Sequence, residues 1–317
     1  MINILANDGI SQSGKDALDN AGFNISTITV AQEKLANHIQ SNDIAVLLVR
    51  SATTVRKDLI DRCPNLKIIG RGGVGMDNID VEYARSKGIN VINTPAASSS
   101  SVAELVFAHL YGGVRFLHES NRNMPLEGDS NFKKLKKAYA KGVELRGKTI
   151  GIVGFGRIGR ETAKIALGIG MKVLAYDKFL KEASITLNFS HEKSVEFNIK
   201  ISKFNYLLEN SDFISLHVPA QKEFIIDKKQ FELMKDGVGI INAARGGVLN
   251  EVELISALDS GKVSFAGLDT FENEPKPEIK LLMHPNISLT PHIGAATNEA
   301  QDRIGKELAD QISNILN

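Results

Sequence analysis

The run Lys148-Thr149-Ile150-Gly151-Ile152-Val153-Gly154-Phe155-Gly156-Arg157-Ile158-Gly159 constrains this chain more than any other stretch. Apolar, β-prone residues lead into Gly-x-Gly-x-x-Gly. A helical pattern follows at once, with Ile158, Ala163, Ile165, Ala166 and Ile169 on one face and Gly170 closing it. Gly154 allows a tight turn, Gly156 lets backbone approach a pyrophosphate, and Gly159 lets the helix pack on the strand. The N–H groups at the helix start, with the positive end of its dipole, suit phosphate. The next strand, 172–176, ends in Asp177, whose carboxylate can accept both ribose hydroxyls of an adenosine and repels a 2′-phosphate. A glycine-rich turn with a surface aspartate is the alternative. Strand, fingerprint, helix, strand and acid in that order speak against it. The expectation is an NAD site that prefers NAD over NADP.

At 317 residues the chain has room for two domains, each with its own core. Before the fingerprint, strand-like runs recur at 2–6, 25–30, 44–49, 67–70 and 90–92; after Asp177 they recur at 213–217, 238–242, 264–269 and 287–290. Helical or turn-rich segments separate them. That alternation predicts an α/β fold of doubly wound parallel sheets with helices on both faces. Ser101-Val102-Ala103-Glu104 fits a capping box and opens a long helix predicted over 102–120, the passage between domains. Its apolar residues exceed one face, which fits either a subunit contact or a buried core helix. Residues 121–142 are polar and read as a surface excursion. Alternation on either side of a polar turn predicts a β-hairpin over 185–199, with a solvated His191 at its tip. Asn250 and Glu253 cap a helix that stops at Gly261. A last helix starts near Asn298, with Ile304, Leu308 and Ile312 on one face, and can return to the first domain.

Lys+Arg 38 against Asp+Glu 37 leaves a net charge of +1, which argues against a nucleic-acid or membrane-surface partner. The run Lys133-Lys134-Leu135-Lys136-Lys137 reads as a solvated face. A single cysteine, Cys63, excludes an intramolecular disulfide and a multi-cysteine metal site, so no metal is expected. No targeting segment and no run approaching ~20 apolar residues is visible, so a cytoplasmic protein is the expectation.

In parallel sheets of this kind ligands bind beyond the carboxyl ends of the strands. Two early strand ends are chemically loaded, Arg50-Ser51-Ala52-Thr53 and the glycine-dense Gly70 to Asn78. Arg50 and Ser51 beside inward-pointing N–H groups make a cradle for a carboxylate or phosphate. A surface ion pair and an ordinary loop are the bland alternatives. Oxidation of an alcohol needs a proton acceptor, and histidine titrates in the right range. His292 stands out among seven histidines, since it follows Pro291 at a strand end; His217 also ends a strand. His38, His109, His118 and His284 show no polar company in the sequence and read as core or surface residues. Arg245 lies between alanine and glycine at a strand end, where a guanidinium can grip a carboxylate by two parallel bonds. Glu274, before Pro275, can hold an imidazole in one tautomer.

Val49 to Thr53, Gly70 to Asp80, Gly154 to Gly159, Asn242 to Gly247, Gly267 to Pro275 and Thr290 to Gly294 together resemble the D-isomer-specific 2-hydroxyacid dehydrogenases, most of all the branch that oxidises 3-phosphoglycerate. The resemblance covers nearly the whole chain. It implies a Rossmann NAD domain at 99–288, inserted into a flavodoxin-like substrate domain formed by 1–98 and 289–317. It implies a catalytic trio of Arg245, Glu274 and His292, and Asp269 on the nicotinamide amide. Cofactor contacts fall on Val74, Arg157, Ile158, Val218, Ala243, Gly294 and Ala295. The substrate acid falls to Arg50, Ser51, Gly72, Gly73, Val74 and Ser98, the last standing where many relatives carry asparagine. A homodimer or tetramer acting on a small 2-hydroxy acid follows, with 102–120 as the subunit contact. Two departures are visible: Ala220-Gln221-Lys222 replaces a threonine-rich turn after Pro219, and the 185–199 hairpin looks like an insertion. A short form without the C-terminal regulatory domain of some relatives is the expectation. A reductase of glyoxylate or hydroxypyruvate is the second expectation, and a non-enzymatic NAD-sensing partner protein the third.

Overall fold

The computed structural model describes residues 1–190 and 192–316, so His191 lies outside the described residues. Internal contacts divide the chain into two units, Met1–Ser101 with Ala295–Asn317, and Val102–Gly294.

The first unit alternates β1 (Asn3–Ala6), α1 (Gln12–Asn20), β2 (Asn24–Ser26), α2 (Gln32–Ser41), β3 (Ile44–Val49), α3 (Lys57–Arg62), β4 (Ile68–Arg71), α4 (Val81–Ser86) and β5 (Asn90–Asn93). The strands form one parallel sheet in the order β2-β1-β3-β4-β5, the flavodoxin-like doubly wound order. The central strands are buried on both faces, which is why Ile44 to Val49 is an unbroken apolar run. On one face Leu35, Ile39, Leu59, Ile60 and Ala84 cover the sheet. β2 stops at Ser26, short of the expected 25–30; it is an edge strand with only partly covered side chains.

α5 (Ser99–Val114) starts in the last three residues of the first unit's segment and carries the chain into the second, where α6 (Leu117–Glu127) and α7 (Phe132–Ala138) follow. Two expectations need correction here. The predicted single helix over 102–120 is broken at Phe116, which adopts φ 53, a left-handed conformation that ends the helical ladder. α5 also starts at Ser99, so Ser101 sits inside its first turn and is not the cap. The polar 121–142 stretch is largely helical. α6 buries none of its residues and carries Pro125 internally, so it lacks the apolar stripe that announces a helix.

The unit continues with β6 (Thr149–Val153), α8 (Arg157–Gly168), β7 (Lys172–Tyr176), β8 (Glu182–Phe189), β9 (Lys193–Lys200), α9 (Phe204–Asn210), β10 (Phe213–Leu216), α10 (Lys228–Leu233), β11 (Val238–Asn242), α11 (Glu251–Asp259), β12 (Val263–Leu268), α12 (Ile279–Leu282) and β13 (Ile287–Leu289). Six strands form a parallel sheet ordered β13-β12-β11-β10-β6-β7. The winding reverses between β6 and β10, which places the fingerprint at the switch point where such sheets bind ligands. α5 and α8 cover one face, through Val106, Leu110, Ala163 and Ala166. α9, α10 and α11 cover the other, through Leu207, Phe231, Leu254 and Leu258. Asn250 accepts from the N–H groups of Val252 and Glu253 and so starts α11. The antiparallel hairpin β8–β9 runs in register from Glu182–Lys200 to Phe189–Lys193, with Ala183 and Ile185 buried beside α8.

The last helix, α13 (Asn298–Leu316), belongs to the first unit. Its Ile304, Leu308 and Ile312, spaced by four, cover the second face of the first sheet with Leu18 of α1. Each such burial contributes roughly 1.5–3 kcal/mol. α1 and α13 meet glycine to glycine: a Cβ on Gly14 would come within 2.6 Å of Gly305 Cα, so a larger residue at either position would force the helices apart.

Candidate active site

The nucleotide fingerprint is built as its glycines require. Gly154 has φ 94, and a Cβ there would meet the His217 carbonyl oxygen at 2.6 Å. A Cβ on Gly159 would meet the Gly154 carbonyl oxygen at 2.2 Å, so helix and turn touch because Gly159 has no side chain. Around Gly156 there is open space, with nothing within 4 Å of a notional Cβ. Gly156 and Arg157 are exposed and Ile158 is half-buried at the start of α8. Asp177 takes the Phe155 N–H at 2.9 Å on one oxygen and the Phe179 N–H at 2.9 Å on the other. The acid therefore braces the glycine turn as well as ending β7. Val218 lies against Gly154 from the end of β10, and Ala243 follows β11. An unobstructed approach at Gly156, the unpaired N–H groups of a helix start and an acid at the next strand end fit a dinucleotide without a 2′-phosphate.

The loops at the strand ends of the second unit are held by bonds between side chains and backbone. Asn242, 2% exposed, donates from its amide nitrogen to the Arg245 carbonyl at 2.9 Å and accepts the Ala244 N–H at 3.1 Å. That turn presents Arg245, whose Nη1 donates to the Ala244 carbonyl at 2.6 Å. Gly246 is obligatory, since a Cβ there would lie 1.9 Å from the Phe271 carbonyl oxygen. Glu274 accepts the Phe271 N–H at 3.0 Å through Oε1 and meets His292 Nδ1 at 2.9 Å through Oε2. Burial alone would raise the Glu274 carboxyl. The hydrogen bond and charge of His292, the Phe271 N–H and the Arg245 charge outweigh it and hold the acid below its ordinary value.

His292 has φ 54, a left-handed conformation costing roughly 1–2 kcal/mol for a non-glycine residue. Asp269, 1% exposed, offsets that strain by accepting the N–H groups of Ile293 and Gly294, each at 2.8 Å. A second carboxylate pair ties the Glu274 loop down. Glu251 N–H donates to Glu272 Oε1 and Glu272 N–H to Glu251 Oε1, each at 2.8 Å. Glu251 is buried, and nothing in the sequence singles it out.

In the first unit the loop after β3 is organised by groups the sequence pattern does not reveal. Asp8 accepts the Arg50 N–H at 2.6 Å, the Thr53 N–H at 3.1 Å and the Thr53 hydroxyl. Asn78 donates to the Arg50 and Thr53 carbonyls at 2.8 and 2.7 Å. Arg50 is thereby presented from a fixed loop, with Ser51 exposed beside it. Gly72 and Gly73 are buried, and Gly73 takes φ 145. The Val74 carbonyl accepts from the Asn93 side chain at 2.7 Å. Ser98 is buried at 1% exposure, and the Ala295 carbonyl accepts from Gln301 at 2.7 Å.

The remaining histidines separate clearly. His217 Nε2 meets Ser215 at 2.8 Å and Thr162 at 3.3 Å, and burial pushes its ring down to about 3, so it is a packing residue. Four others read as core or surface residues, and the fold gives each a polar partner. His38 meets Asn42 at 3.3 Å, His118 the Pro285 carbonyl at 3.0 Å, and His284 the Asp259 carboxylate at 3.4 Å. His109 is buried between Ser288 and Thr290. Its partners lie some 180 residues along the chain, beyond the reach of local pattern.

Among the described residues no helix is long and apolar enough to cross a membrane, and no group of three His, Cys, Asp or Glu side chains is placed to hold a metal. The sequence profile of the D-isomer specific 2-hydroxyacid dehydrogenase NAD binding domain matches residues 107–294. A D-3-phosphoglycerate dehydrogenase of Archaeoglobus fulgidus is 40% identical over 316 residues, 98% of this chain and 57% of the relative. A hydroxypyruvate reductase of Thermotoga maritima is 45% identical over 275 residues, 85% of this chain and 84% of the relative. The crystal structure of a glyoxylate reductase from Paecilomyes thermophila matches with a TM-score of 0.81 at 29% identity, over 98% of this chain and 94% of that one. The chain spans little more than half the length of the Archaeoglobus relative. A profile match of that extent, on a sheet wound as the fingerprint demands, means that the chain belongs to the D-isomer-specific 2-hydroxyacid dehydrogenase family and carries that family's NAD-binding domain.

Proposed function

We propose that this chain oxidises D-3-phosphoglycerate to 3-phosphohydroxypyruvate with NAD, the entry step to serine. The observation that carries the reading is the His292–Glu274 bond at 2.9 Å, with Arg245 close enough for its charge to act on the same carboxylate. Bound NAD supplies the hydride acceptor. Arg245 grips the substrate carboxylate and the carbinol oxygen. His292 takes the hydroxyl proton at Nε2, because Nδ1 is committed to Glu274. Glu274, ionised, stabilises the imidazolium and fixes its tautomer. Gly154, Gly156, Arg157, Ile158 and Gly159 hold the pyrophosphate. Asp177 holds the adenosine ribose, Asp269 the nicotinamide amide, and Val74, Val218, Ala243, Gly294 and Ala295 line the cofactor. Arg50, Ser51, Gly72, Gly73, Val74 and Ser98 serve the substrate acid.

The unit containing the fingerprint is then the NAD domain, and the one containing Arg50 the substrate domain. A cytoplasmic homodimer or tetramer is the working form. A second reading is reduction of hydroxypyruvate or glyoxylate, favoured by the 45% identity to the Thermotoga reductase. Steady-state NADH production from 3-phosphoglycerate, D-glycerate and D-lactate, with the reverse reaction on hydroxypyruvate and glyoxylate, separates them. The highest kcat/KM with 3-phosphoglycerate is expected. A higher kcat/KM for an unphosphorylated acid would give preference to the second reading, and no turnover of any acid would refute both.

A further inference from the structure

Asp269 ends β12 with its carboxylate fully engaged on one oxygen: Oδ1 takes the Ile293 N–H at 2.8 Å and the Thr290 hydroxyl at 2.6 Å. Thr290 in turn meets His109 Nε2 at 3.0 Å, and His109 Nδ1 meets Ser288 Oγ at 2.9 Å. His109 comes from α5, across the sheet face. It reaches β13 because Gly267 lies in its path, where a Cβ would meet His109 Cβ at 2.6 Å. The family resemblance assigns no part to His109, Ser288 or Thr290.

Counting protons gives this chain a direction. An ionised carboxylate only accepts, so the single proton of Thr290 is committed to Asp269, at a separation usual for a hydroxyl on a charged oxygen. Thr290 can then only accept from His109, which puts the ring proton on Nε2. Nδ1 is left as an acceptor, and Ser288 donates to it. A charged ring would donate at both nitrogens and turn the Ser288 bond around. Burial disfavours that charge and lowers His109 below its ordinary value, against the pull of Asp269 and with a further push from His118.

We propose that His109 is a positioning residue: a neutral, Nε2-protonated imidazole that runs Ser288, Thr290 and Asp269 into a one-way line of hydrogen bonds. The line fixes the Asp269 carboxylate through Oδ1, while among the described residues Oδ2 accepts the Gly294 N–H. Through Ile293 and Gly294 the same carboxylate fixes the backbone beside His292. The kinetic consequence rests on the reading of Asp269 as the acid that receives the nicotinamide amide; the tautomer does not.

His109→Leu is expected to raise KM for NAD about three- to tenfold, the size of one lost hydrogen bond, with a smaller change in kcat. His109→Gln keeps a donor and an acceptor and should restore most of the loss. Thr290→Val should match His109→Leu, and the double variant should be no worse than either, because both cut one line. Equal KM values in wild type and His109→Leu, or additive losses in the double variant, would overturn the proposal. Imidazole 15N shifts of His109 in the whole protein should show the neutral Nε2–H tautomer, and an Nδ1–H or charged ring would overturn it as well. That measurement needs no turnover. A chain that oxidises no hydroxy acid therefore refutes the proposed function, while the nitrogen shifts still decide the line of hydrogen bonds.

Discussion

Both units are parallel sheets wound in two directions, with loaded loops at their strand ends, yet they fix those loops differently. In the first unit one carboxylate, Asp8, gathers the Arg50–Thr53 loop, and Asn78 adds two bonds to carbonyls. In the second unit the loops carry carboxylates that are themselves engaged: Glu274 on His292, Asp269 on two N–H groups, and Glu251 and Glu272 on each other's backbone. The architecture is shared and the chemistry is not. The first arrangement offers a rigid positive patch suited to gripping an acid. The second offers acids with fixed protonation partners, suited to moving a proton.

The largest expected effect strikes the second unit. His292→Ala should lower kcat by about 10²–10⁴-fold while equilibrium NADH binding persists; near-normal turnover would remove His292 from the proton step. In the first unit, Asp8→Ala releases a charge-assisted brace. KM for the acid substrate should rise about 10–100-fold with kcat less affected, and a fall in kcat alone would erase the contrast between gripping and proton transfer. Asp177→Ala should narrow the NAD-over-NADP preference by about tenfold, read from the ratio of kcat/KM values. An unchanged ratio would leave Asp177 as a brace of the Phe155 turn and nothing more.

The smallest effect concerns pH. Burial first, then the charges of Glu272, Glu278 and Glu274, against the Glu272 N–H, push Glu251 up to about 7. The folded state thus holds this proton more tightly than the unfolded chain, with its ordinary value of 4.5. The associated stability is complete below that ordinary value and is lost as pH rises through about 7. Glu251→Gln should raise Tm by ~2–6 °C at about pH 8 and leave it nearly unchanged at about pH 4. A gain at the lower pH instead would show that the clasp is destabilising for reasons other than charge.

What the sequence discloses follows from distance along the chain. The fingerprint is legible because strand, glycines, helix and acid are consecutive. Arg245, Glu274 and His292 are legible as odd residues at the ends of apolar runs. Asp8, Asn78 and Glu251 are not, because each works through backbone groups 21 to 45 residues away. His109 is hidden more deeply, since its face of α5 looks apolar and its polar partners arrive on β13. The break at Phe116 leaves no mark either: a left-handed phenylalanine is unfavourable locally, so only tertiary packing can place it. α6 escapes for the opposite reason, having no buried face to create a period.

The β8–β9 hairpin has a consequence for solubility. β7 pairs with β6 on one side, and on the other its neighbour in the parallel sense is the single residue Ile201, bridged to Ala175. An unpaired sheet margin of that kind is a template for another chain's strand. Here the chain doubles back antiparallel beside it, with Lys181, Lys193 and Lys200 at the ends of the hairpin and Ala183 and Ile185 turned onto α8. Shortening the chain across 182–200 would bare a row of unpaired amides next to an apolar helix face. The outcome to expect is self-association through that margin, whatever becomes of the cofactor.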